Sequence, residues 1–231
     1  MGSKKLDEAF RVIRTNLHFL NEKENSRVIL ITSSIPKEGK SVVASNYAMS
    51  LAKIGEKVLI IDCNLKKPKI DEKFGLFFEK GLESVLAGEY KVEDLILKNV
   101  EKNLDVLPIK KITDDITSFF LKKNLKTILD EVIEKYDAII LDTPSLIVSS
   151  DAAILSKYSD GVIYVIGYNQ VTQEELEFGK KILNNAKANI YGFIVNKIDK
   201  NGVLYGGYRY YNKDYYNKKI KVLEKIFRIF K

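Results

Sequence analysis

The sequence contains little cysteine, histidine or tryptophan. Among its 231 residues there is one cysteine, Cys63, one histidine, His18, and no tryptophan. A single cysteine excludes an internal disulfide framework and fits a reducing compartment. A lone histidine has no second histidine with which to bind a metal ion, so we interpret His18 as a residue on a helix face.

Long apolar runs are also missing. No run approaches the ~18–20 residues that are needed to span a bilayer. The polar, charged start of the sequence differs from a secretory signal, and Leu6 stands where a myristoylation signal requires Ser or Thr. We therefore expect a cytoplasmic protein, whose length suits one α/β domain.

The net charge of +7 is concentrated at one end of the sequence. Residues 200–231 contain nine Lys or Arg residues and two acids, whereas residues 1–199 are neutral. A nucleic-acid-binding domain would instead carry basic residues over the body of its fold. We therefore predict a domain over residues 1–200, a basic tail over residues 201–231, and no nucleic-acid partner.

Short apolar runs alternate with helical patterns along the sequence. Strands are predicted at residues 27–32, 58–61, 104–108, 138–141, 162–166 and 190–195. Helices are predicted at residues 7–20, 41–54, 81–88, 121–135 and 172–186. Strands that alternate with helices indicate an α/β fold with a mostly parallel central sheet and helices on both faces.

A phosphate-binding motif lies between the first predicted strand and its helix. Residues 34–41 match the P-loop pattern G-x-x-x-x-G-K-[ST], except that Ser34 stands at the first glycine position. Backbone N–H groups at a helix N-terminus favour phosphate there. We predict that Lys40 reaches the β- and γ-phosphates of ATP and that Ser41 holds Mg²⁺. The predicted nucleotide-binding residues are Ser34, Pro36, Lys37, Glu38, Gly39, Lys40, Ser41, Val42 and Asn64.

Two aspartates end predicted strands, Asp62 after Val-Leu-Ile-Ile and Asp142 after Ala-Ile-Ile-Leu. Ligands of an open α/β sheet bind beyond the C-terminal ends of its strands, so both acids should approach the P-loop. Asp142 stands where a Walker B aspartate would bind Mg²⁺. An isolated aspartate after a strand is usually a cap or turn residue. Two beside a P-loop instead favour a metal site formed by Ser41, Asp62 and Asp142.

These motifs together resemble those of the bacterial tyrosine kinases of capsule and exopolysaccharide synthesis, which have a P-loop NTPase fold like that of the Min/Par ATPases. The resemblance covers the helix motif Glu8-x-x-Arg11-x-x-Arg14, the P-loop, a second Walker motif at residues 61–68 and the Walker B segment 136–144. It also covers a C-terminal tyrosine cluster. The cluster consists of Tyr205, Tyr208, Tyr210, Tyr211, Tyr215 and Tyr216.

The resemblance implies an ATP- and Mg²⁺-dependent tyrosine autokinase. Asp62 would accept the proton of the incoming tyrosine, and Lys40 and Asp142 would complete the catalytic set. Glu8, Arg11 and Arg14 would mediate a homo-oligomeric ring, in which the tyrosine cluster of one subunit meets the ATP site of the next. The resemblance also implies a membrane-anchored activator, whose cytosolic segment recruits the kinase to the inner face of the plasma membrane.

Three alternatives stay open at this point. The family usually carries a second aspartate where this sequence has Asn64, and an amide offers Mg²⁺ an oxygen without charge, so a weakly active ATP-binding scaffold is one alternative. A Min/Par-type ATPase is another, although those proteins usually place a lysine at the position of Ile35. The tyrosine cluster, with its basic neighbours, would also suit stacking on single-stranded nucleic acid, which we favour less.

Two helical segments each allow two interpretations. Residues 218–231 place apolar side chains at helical spacing among basic ones, which suits either an anionic membrane surface or packing on protein. We favour packing. Glu8, Arg11 and Arg14 lie on one helix face and form either a subunit interface or a solvated face with local ion pairs. We favour the interface.

Overall fold

A computed structural model describes residues 2–20, 27–111 and 125–198, together with Ile226 and Ile229. Its strands are β1 (Val28–Ser33), β2 (Val58–Asp62), β3 (Leu97–Glu101), β4 (Leu104–Leu107), β5 (Ala138–Asp142), β6 (Gly161–Gly167) and β7 (Ile190–Asn196). Its α-helices are α1 (Gly2–Leu20), α2 (Lys40–Ala52), α3 (Ile70–Phe74), α4 (Leu82–Leu86), α5 (Val92–Leu95), α6 (Leu125–Val132), α7 (Asp151–Leu155) and α8 (Gln173–Asn185). Short 3₁₀ turns follow α6 and α7, at Ile133–Lys135 and Ser156–Tyr158.

The strands form one sheet in the order β3-β4-β2-β5-β1-β6-β7. All neighbouring strands are parallel except the edge pair of β3 and β4, which is antiparallel. The predicted fold class is therefore confirmed. Because β2, β5 and β1 are adjacent and parallel, their C-terminal ends meet at one edge of the sheet.

Apolar packing covers both faces of the sheet. Every residue of β1, β2, β5 and β6 is buried, which explains why these strands appear as continuous apolar runs in the sequence. Helices α1 and α2 pack on one face through side chains such as Phe10, Leu17 and Tyr47. Helix α8 packs on the other face through Leu176 and Leu183.

Several short elements differ from the sequence-based predictions. Strand β3 was not predicted because it lies at the edge of the sheet, where its residues are half-buried or exposed and form no continuous apolar run. Helices α3, α5 and α7 have four or five residues each, too few to show a helical period. Helix α1 begins at Gly2 and not at residue 7. The predicted start of the helix at 121–135 lies outside the described residues.

The end of the chain contributes to the core. Ile226 is only 4% exposed and belongs to the core on the α8 side, and Ile229 packs beside it. Lys180 of α8 donates a hydrogen bond to the backbone carbonyl of Ile229. These contacts agree with packing on the domain at these two positions. The other positions of 218–231, and the cluster Tyr205–Tyr216, lie outside the described residues.

Within the described ranges, no helix combines the length and the apolar character that crossing a membrane requires.

Candidate functional site

The P-loop connects the central strand β1 to helix α2. Gly39 precedes the helix with a φ of 98°, a left-handed conformation that favours glycine. A Cβ at this position would lie 2.1 Å from the amide nitrogen of Asn196, so the space also requires glycine. Lys37 has a φ of 67°, which is unusual for a lysine. The loop therefore curls tightly before the helix begins at Lys40.

The carboxylate of Glu38 holds the loop from inside. Glu38 is fully buried, and its Oε2 accepts a hydrogen bond from the backbone N–H of Ile35 at 2.8 Å. Its Oε1 accepts one from the N–H of Gly167, at the end of β6, also at 2.8 Å. The side chain thus points away from the expected phosphate position, and only the backbone of Glu38 is available to a nucleotide.

The end of β7 supports the same loop from outside. The amide of Asn196 donates a hydrogen bond to the carbonyl of Glu38 at 2.9 Å, and the ammonium of Lys197 donates one to the carbonyl of Lys37 at 2.5 Å. Both contacts join residues about 160 positions apart in sequence. No local motif indicates such contacts, so the sequence alone does not assign Asn196 or Lys197 to the P-loop.

Lys40 places a buried ammonium group within the loop. The residue is only 7% exposed, and its Nζ donates a hydrogen bond to Oγ of Ser33 at 3.0 Å. Burial lowers the pKa of Lys40, whereas the charges of Asp142 and Glu38 raise it. A positive group held here by nearby carboxylates is suited to contact phosphate oxygens, as the sequence predicts.

Asp62 and Asp142 lie directly opposite each other on neighbouring strands β2 and β5. Asp142 is also in register with Ile31 of β1, just before the P-loop. The structure therefore brings together the two acids that the sequence singled out, on the side of the loop where Lys40 and Ser41 lie. Asp62 accepts hydrogen bonds from the backbone N–H groups of residues 64, 69 and 70, at 2.9–3.1 Å.

The carboxylate of Asp142 is fully buried, and neither of its oxygens has a hydrogen-bond partner in the described part of the chain. Burial raises the pKa of Asp142 to about 8, and the charge of Asp62 adds to this rise. The Ser41 hydroxyl, which lies near the carboxylate without completing a well-formed hydrogen bond, and the charge of Lys40 partly offset it. Burial also raises the pKa of Asp62 to about 6, against the effect of its three N–H donors. A buried carboxylate without partners is costly unless a cation approaches it.

These residues fit a magnesium ion. Mg²⁺ prefers oxygen ligands and is commonly held by one or two carboxylates together with substrate phosphates. The partnerless Asp142 oxygens, the half-buried Ser41 and Asp62 supply such oxygens. Across the described ranges, no group of three or more His, Cys, Asp or Glu residues is suited to hold a metal by itself.

The other predicted nucleotide-binding residues surround this centre. Ser34 is buried, Pro36 is exposed at the tip of the loop, and Val42 in the first turn of α2 is 48% exposed. Asn64 follows β2, and its side-chain oxygen accepts a hydrogen bond from the backbone N–H of Lys67 at 3.3 Å. The amide therefore stabilises a local turn at the edge of the site.

The predicted oligomerisation residues lie on α1, which packs against α2. Arg11 forms two hydrogen bonds to Glu8, at 2.6 and 2.9 Å, on an exposed surface. Arg14 donates a hydrogen bond to the carbonyl of Ser50 at 2.6 Å and so ties α1 to α2. Within one chain, the contact between Arg11 and Glu8 is the local ion pair that is expected if this helix face is solvated. The subunit interface stays a prediction.

Comparisons with known proteins agree with this geometry. The family model described as an AAA domain matches residues 26–197. The tyrosine-protein kinase YwqD of Bacillus subtilis (strain 168) is 35% identical over 189 residues, which cover 82% of this chain and 80% of YwqD. The putative tyrosine-protein kinase CapB of Staphylococcus aureus is 30% identical over 90% of this chain and 91% of CapB.

Solved structures show the same similarity. The kinase domain of the Escherichia coli tyrosine kinase ETK superposes with a TM-score of 0.80 and 28% identity, over 88% of this chain and 80% of that one. The septum site-determining protein MinD of Pyrococcus horikoshii OT3, complexed with Mg-ADP, gives a TM-score of 0.60 and 27% identity, over 73% of this chain and 69% of that one. The likeness to the tyrosine kinase structure is therefore more extensive than the likeness to MinD.

Proposed function

Since this chain belongs to the bacterial tyrosine kinase family and is a protein-tyrosine kinase, we propose that it transfers the γ-phosphate of ATP to its C-terminal tyrosines. The proposed acceptors are Tyr205, Tyr208, Tyr210, Tyr211, Tyr215 and Tyr216 of a neighbouring subunit. We place this activity in the regulation of capsule or exopolysaccharide synthesis, with ATP and Mg²⁺ as cofactors.

The observation that carries the proposal is the buried, partnerless carboxylate of Asp142, opposite Asp62 and beside Lys40. Phosphoryl transfer requires mainly the positioning of the phosphates and the stabilisation of their charge. Ser41, Asp62 and Asp142 would hold Mg²⁺, which supplies positive charge against the phosphate oxygens when it is bound. Lys40, which lies near Asp142, supplies a second positive charge.

Asp62 is the proposed acceptor of the tyrosine proton. A tyrosine hydroxyl has an ordinary pKa of about 10, so its attack on phosphorus benefits from a positioned base. Burial raises the pKa of Asp62 to about 6, which makes this carboxylate a better proton acceptor than an ordinary aspartate. Its three backbone N–H donors hold the carboxylate in one orientation.

The experiment is incubation of the purified protein with ATP and Mg²⁺, followed by mass spectrometry for phosphotyrosine, with and without an activator's cytosolic segment. We expect phosphate on the C-terminal tyrosines. Lys40→Met should reduce it about 100-fold or more, because a preorganised charge next to the phosphates is lost. Lys181→Met, at an exposed position of α8, is the matched control. Absence of phosphotyrosine in every condition would refute the proposal.

Asn64 gives specific support to a second candidate, an ATP-binding scaffold with weak catalysis. Phosphate release measured beside the phosphotyrosine assay separates three functions. A kinase produces phosphotyrosine, a Min/Par-type ATPase releases phosphate without it, and a scaffold binds ATP with little of either product.

Asn64→Asp is expected to raise the autophosphorylation rate roughly 10-fold, because a carboxylate at this edge would add negative charge beside the metal site. An aspartate oxygen preserves the acceptor for the N–H of Lys67, so the local turn should persist. Initial rates at saturating ATP measure the effect. An unchanged or lower rate would show that the site is adapted to asparagine.

We also propose that the kinase forms a homo-oligomer through α1 and is recruited to the inner face of the plasma membrane by a membrane-anchored activator. Arg11→Ala is expected to lower the mass measured by light scattering to that of a single chain. Arg11 is the sharper choice, because Arg14 also fastens α1 to α2 within one chain. Lys4→Ala on the same helix is the control. A mass unchanged by Arg11→Ala would exclude this role of Arg11.

A further inference from the structure

A buried hydroxyl pair joins the start of the P-loop to the neighbouring strand. Oγ of Ser34 and the hydroxyl oxygen of Tyr164 lie 2.6 Å apart, and both residues are fully buried. The register of the sheet explains the contact. Thr32 of β1 is opposite Tyr164 of β6, and Ser34 follows two residues later, directly after the end of β1.

Helix α8 encloses this pair. A Cβ added at Gly179 would lie 2.1 Å from the Tyr164 hydroxyl oxygen and 3.3 Å from Oγ of Ser34. The glycine therefore lets the helix approach the two hydroxyl groups closely. The pair thus lies at the point where the P-loop, the sheet and α8 meet.

Two contacts hold Ser34, and a third holds the residue after it. The Ser34 side chain meets Tyr164, and the Ser34 carbonyl accepts a hydrogen bond from the N–H of Ile147 at 3.1 Å. The N–H of Ile35 donates a hydrogen bond to Glu38. A glycine at this first position of the loop would have no side chain to be held. The serine therefore offers an attachment that the usual residue of the motif lacks.

We propose that Tyr164 is a positioning residue of the P-loop, whose hydroxyl fixes Ser34 so that the loop is preorganised for the phosphate chain of a nucleoside triphosphate. This role rests on nucleotide binding at the P-loop, as in the proposed function. Burial raises the pKa of Tyr164 above its ordinary value, so the hydroxyl keeps its proton and stays able to form a neutral hydrogen bond. Tyr164 acts through Ser34 and does not itself contact the nucleotide.

Tyr164→Phe keeps the buried ring and removes only the hydroxyl. We expect the Kd for a fluorescent ATP analogue with Mg²⁺ to rise about five-fold, since a single neutral hydrogen bond is lost. The KM for ATP should rise by a similar factor, with kcat little changed, because Lys40, Asp62 and Asp142 keep their places. Tyr158→Phe, on the turn before β6, is the matched control and should change neither constant.

A double-mutant cycle with Ser34→Gly separates positioning from packing. In the Ser34→Gly background, Tyr164→Phe should have little further effect on the Kd, because the hydrogen bond between Ser34 and Tyr164 is already absent. Equal losses in both backgrounds would show that Tyr164 acts only through packing and would overturn the proposal. So would a Kd of Tyr164→Phe equal to that of the unchanged protein.

Gly179→Ala tests the same contact from α8. The added methyl group should displace the hydroxyl and weaken nucleotide binding, and it should be better tolerated when Tyr164 is already phenylalanine. A loss of the same size in both backgrounds would count against the proposal. If the unchanged protein binds no nucleotide, the proposed function fails together with this inference. If it binds and the variants match it, only this inference fails.

Discussion

Asp142→Asn is expected to make the metal-free protein more stable while it strongly reduces phosphoryl transfer. The carboxylate is fully buried and has no hydrogen-bond partner within the described ranges, so its charge costs folding free energy. Burial raises its pKa from 3.8 to about 8. An acid with a raised pKa in the folded protein stabilises it only at low pH. Asp142→Asn should therefore raise the free energy of unfolding at pH 7 by on the order of 3 kcal/mol.

The pH dependence follows from the same shift. The free energy of unfolding of the metal-free protein should fall as the pH rises from about 4 towards about 8. This range lies between the pKa of Asp142 in the unfolded chain and its raised pKa in the folded protein. Asp62, whose pKa is raised to about 6, contributes a slope in the lower part of this range, and the two acids titrate as a pair. Asp142→Asn should remove most of the slope.

Thermal melts between pH 5 and pH 9 measure this effect, with and without Mg²⁺ and a non-hydrolysable ATP analogue. The analogue with Mg²⁺ should stabilise the unchanged protein much more than the variant, because the variant lacks the charge that is proposed to bind the metal. Autophosphorylation of Asp142→Asn should fall about 100-fold, which corresponds to several kcal/mol of charge stabilisation. Asp130→Asn on the exposed side of α6 is the control. A variant less stable than the unchanged protein at pH 8 would refute the buried-charge argument.

Glu38→Gln is expected to unfold the P-loop locally and to destabilise the whole domain. Each carboxylate oxygen of Glu38 accepts a hydrogen bond from a backbone N–H group, of Ile35 and of Gly167. A glutamine would turn an NH₂ group towards one of these donors and leave that donor buried and unsatisfied. Such a defect costs roughly 2–4 kcal/mol in a buried, charge-assisted network.

The buried charge of Lys40 adds to this effect. The Glu38 carboxylate is one of the two charges that raise the pKa of Lys40, so its neutralisation makes the buried ammonium less favourable. We expect the melting temperature of Glu38→Gln to fall by roughly 6–12 °C, with loss of nucleotide binding. Thermal melts measure the first effect, and titration with a fluorescent ATP analogue measures the second. The control is Glu101→Gln on the exposed edge strand. An unchanged Kd for the ATP analogue in Glu38→Gln would show that the two hydrogen bonds to the Glu38 carboxylate are not needed to hold the loop.

The two predictions concern opposite kinds of buried carboxylate. Glu38 accepts two backbone hydrogen bonds and supports the fold, whereas neither oxygen of Asp142 has a hydrogen-bond partner within the described ranges, and Asp142 is proposed to bind Mg²⁺. The sequence does not show which of the two carboxylates has its hydrogen bonds satisfied. The N–H of Ile35 reaches Glu38 from within the loop, but the N–H of Gly167 reaches it from a distant part of the chain.

The sequence by itself determined the elements whose signal is local. The central strands are buried on both faces, so each appears as a continuous apolar run. The P-loop depends on a glycine with positive φ, a lysine and a serine within one turn, and these stand next to one another in the chain. Asp62 and Asp142 were predicted to meet because each ends a parallel strand, and the ends of neighbouring parallel strands coincide.

Only the tertiary structure decided the contacts that hold this site. Strand β3 pairs at an exposed edge, where no apolar pattern is needed. Tyr164, Gly167, Asn196 and Lys197 reach the P-loop from β6 and β7, about 130–160 residues away in sequence. Hydrogen bonds over such separations depend on the register and order of strands, which no local pattern of residues encodes. The residues that give the loop its phosphate-binding chemistry are therefore neighbours in the sequence, whereas the contacts that hold the loop rigid form only in the folded protein.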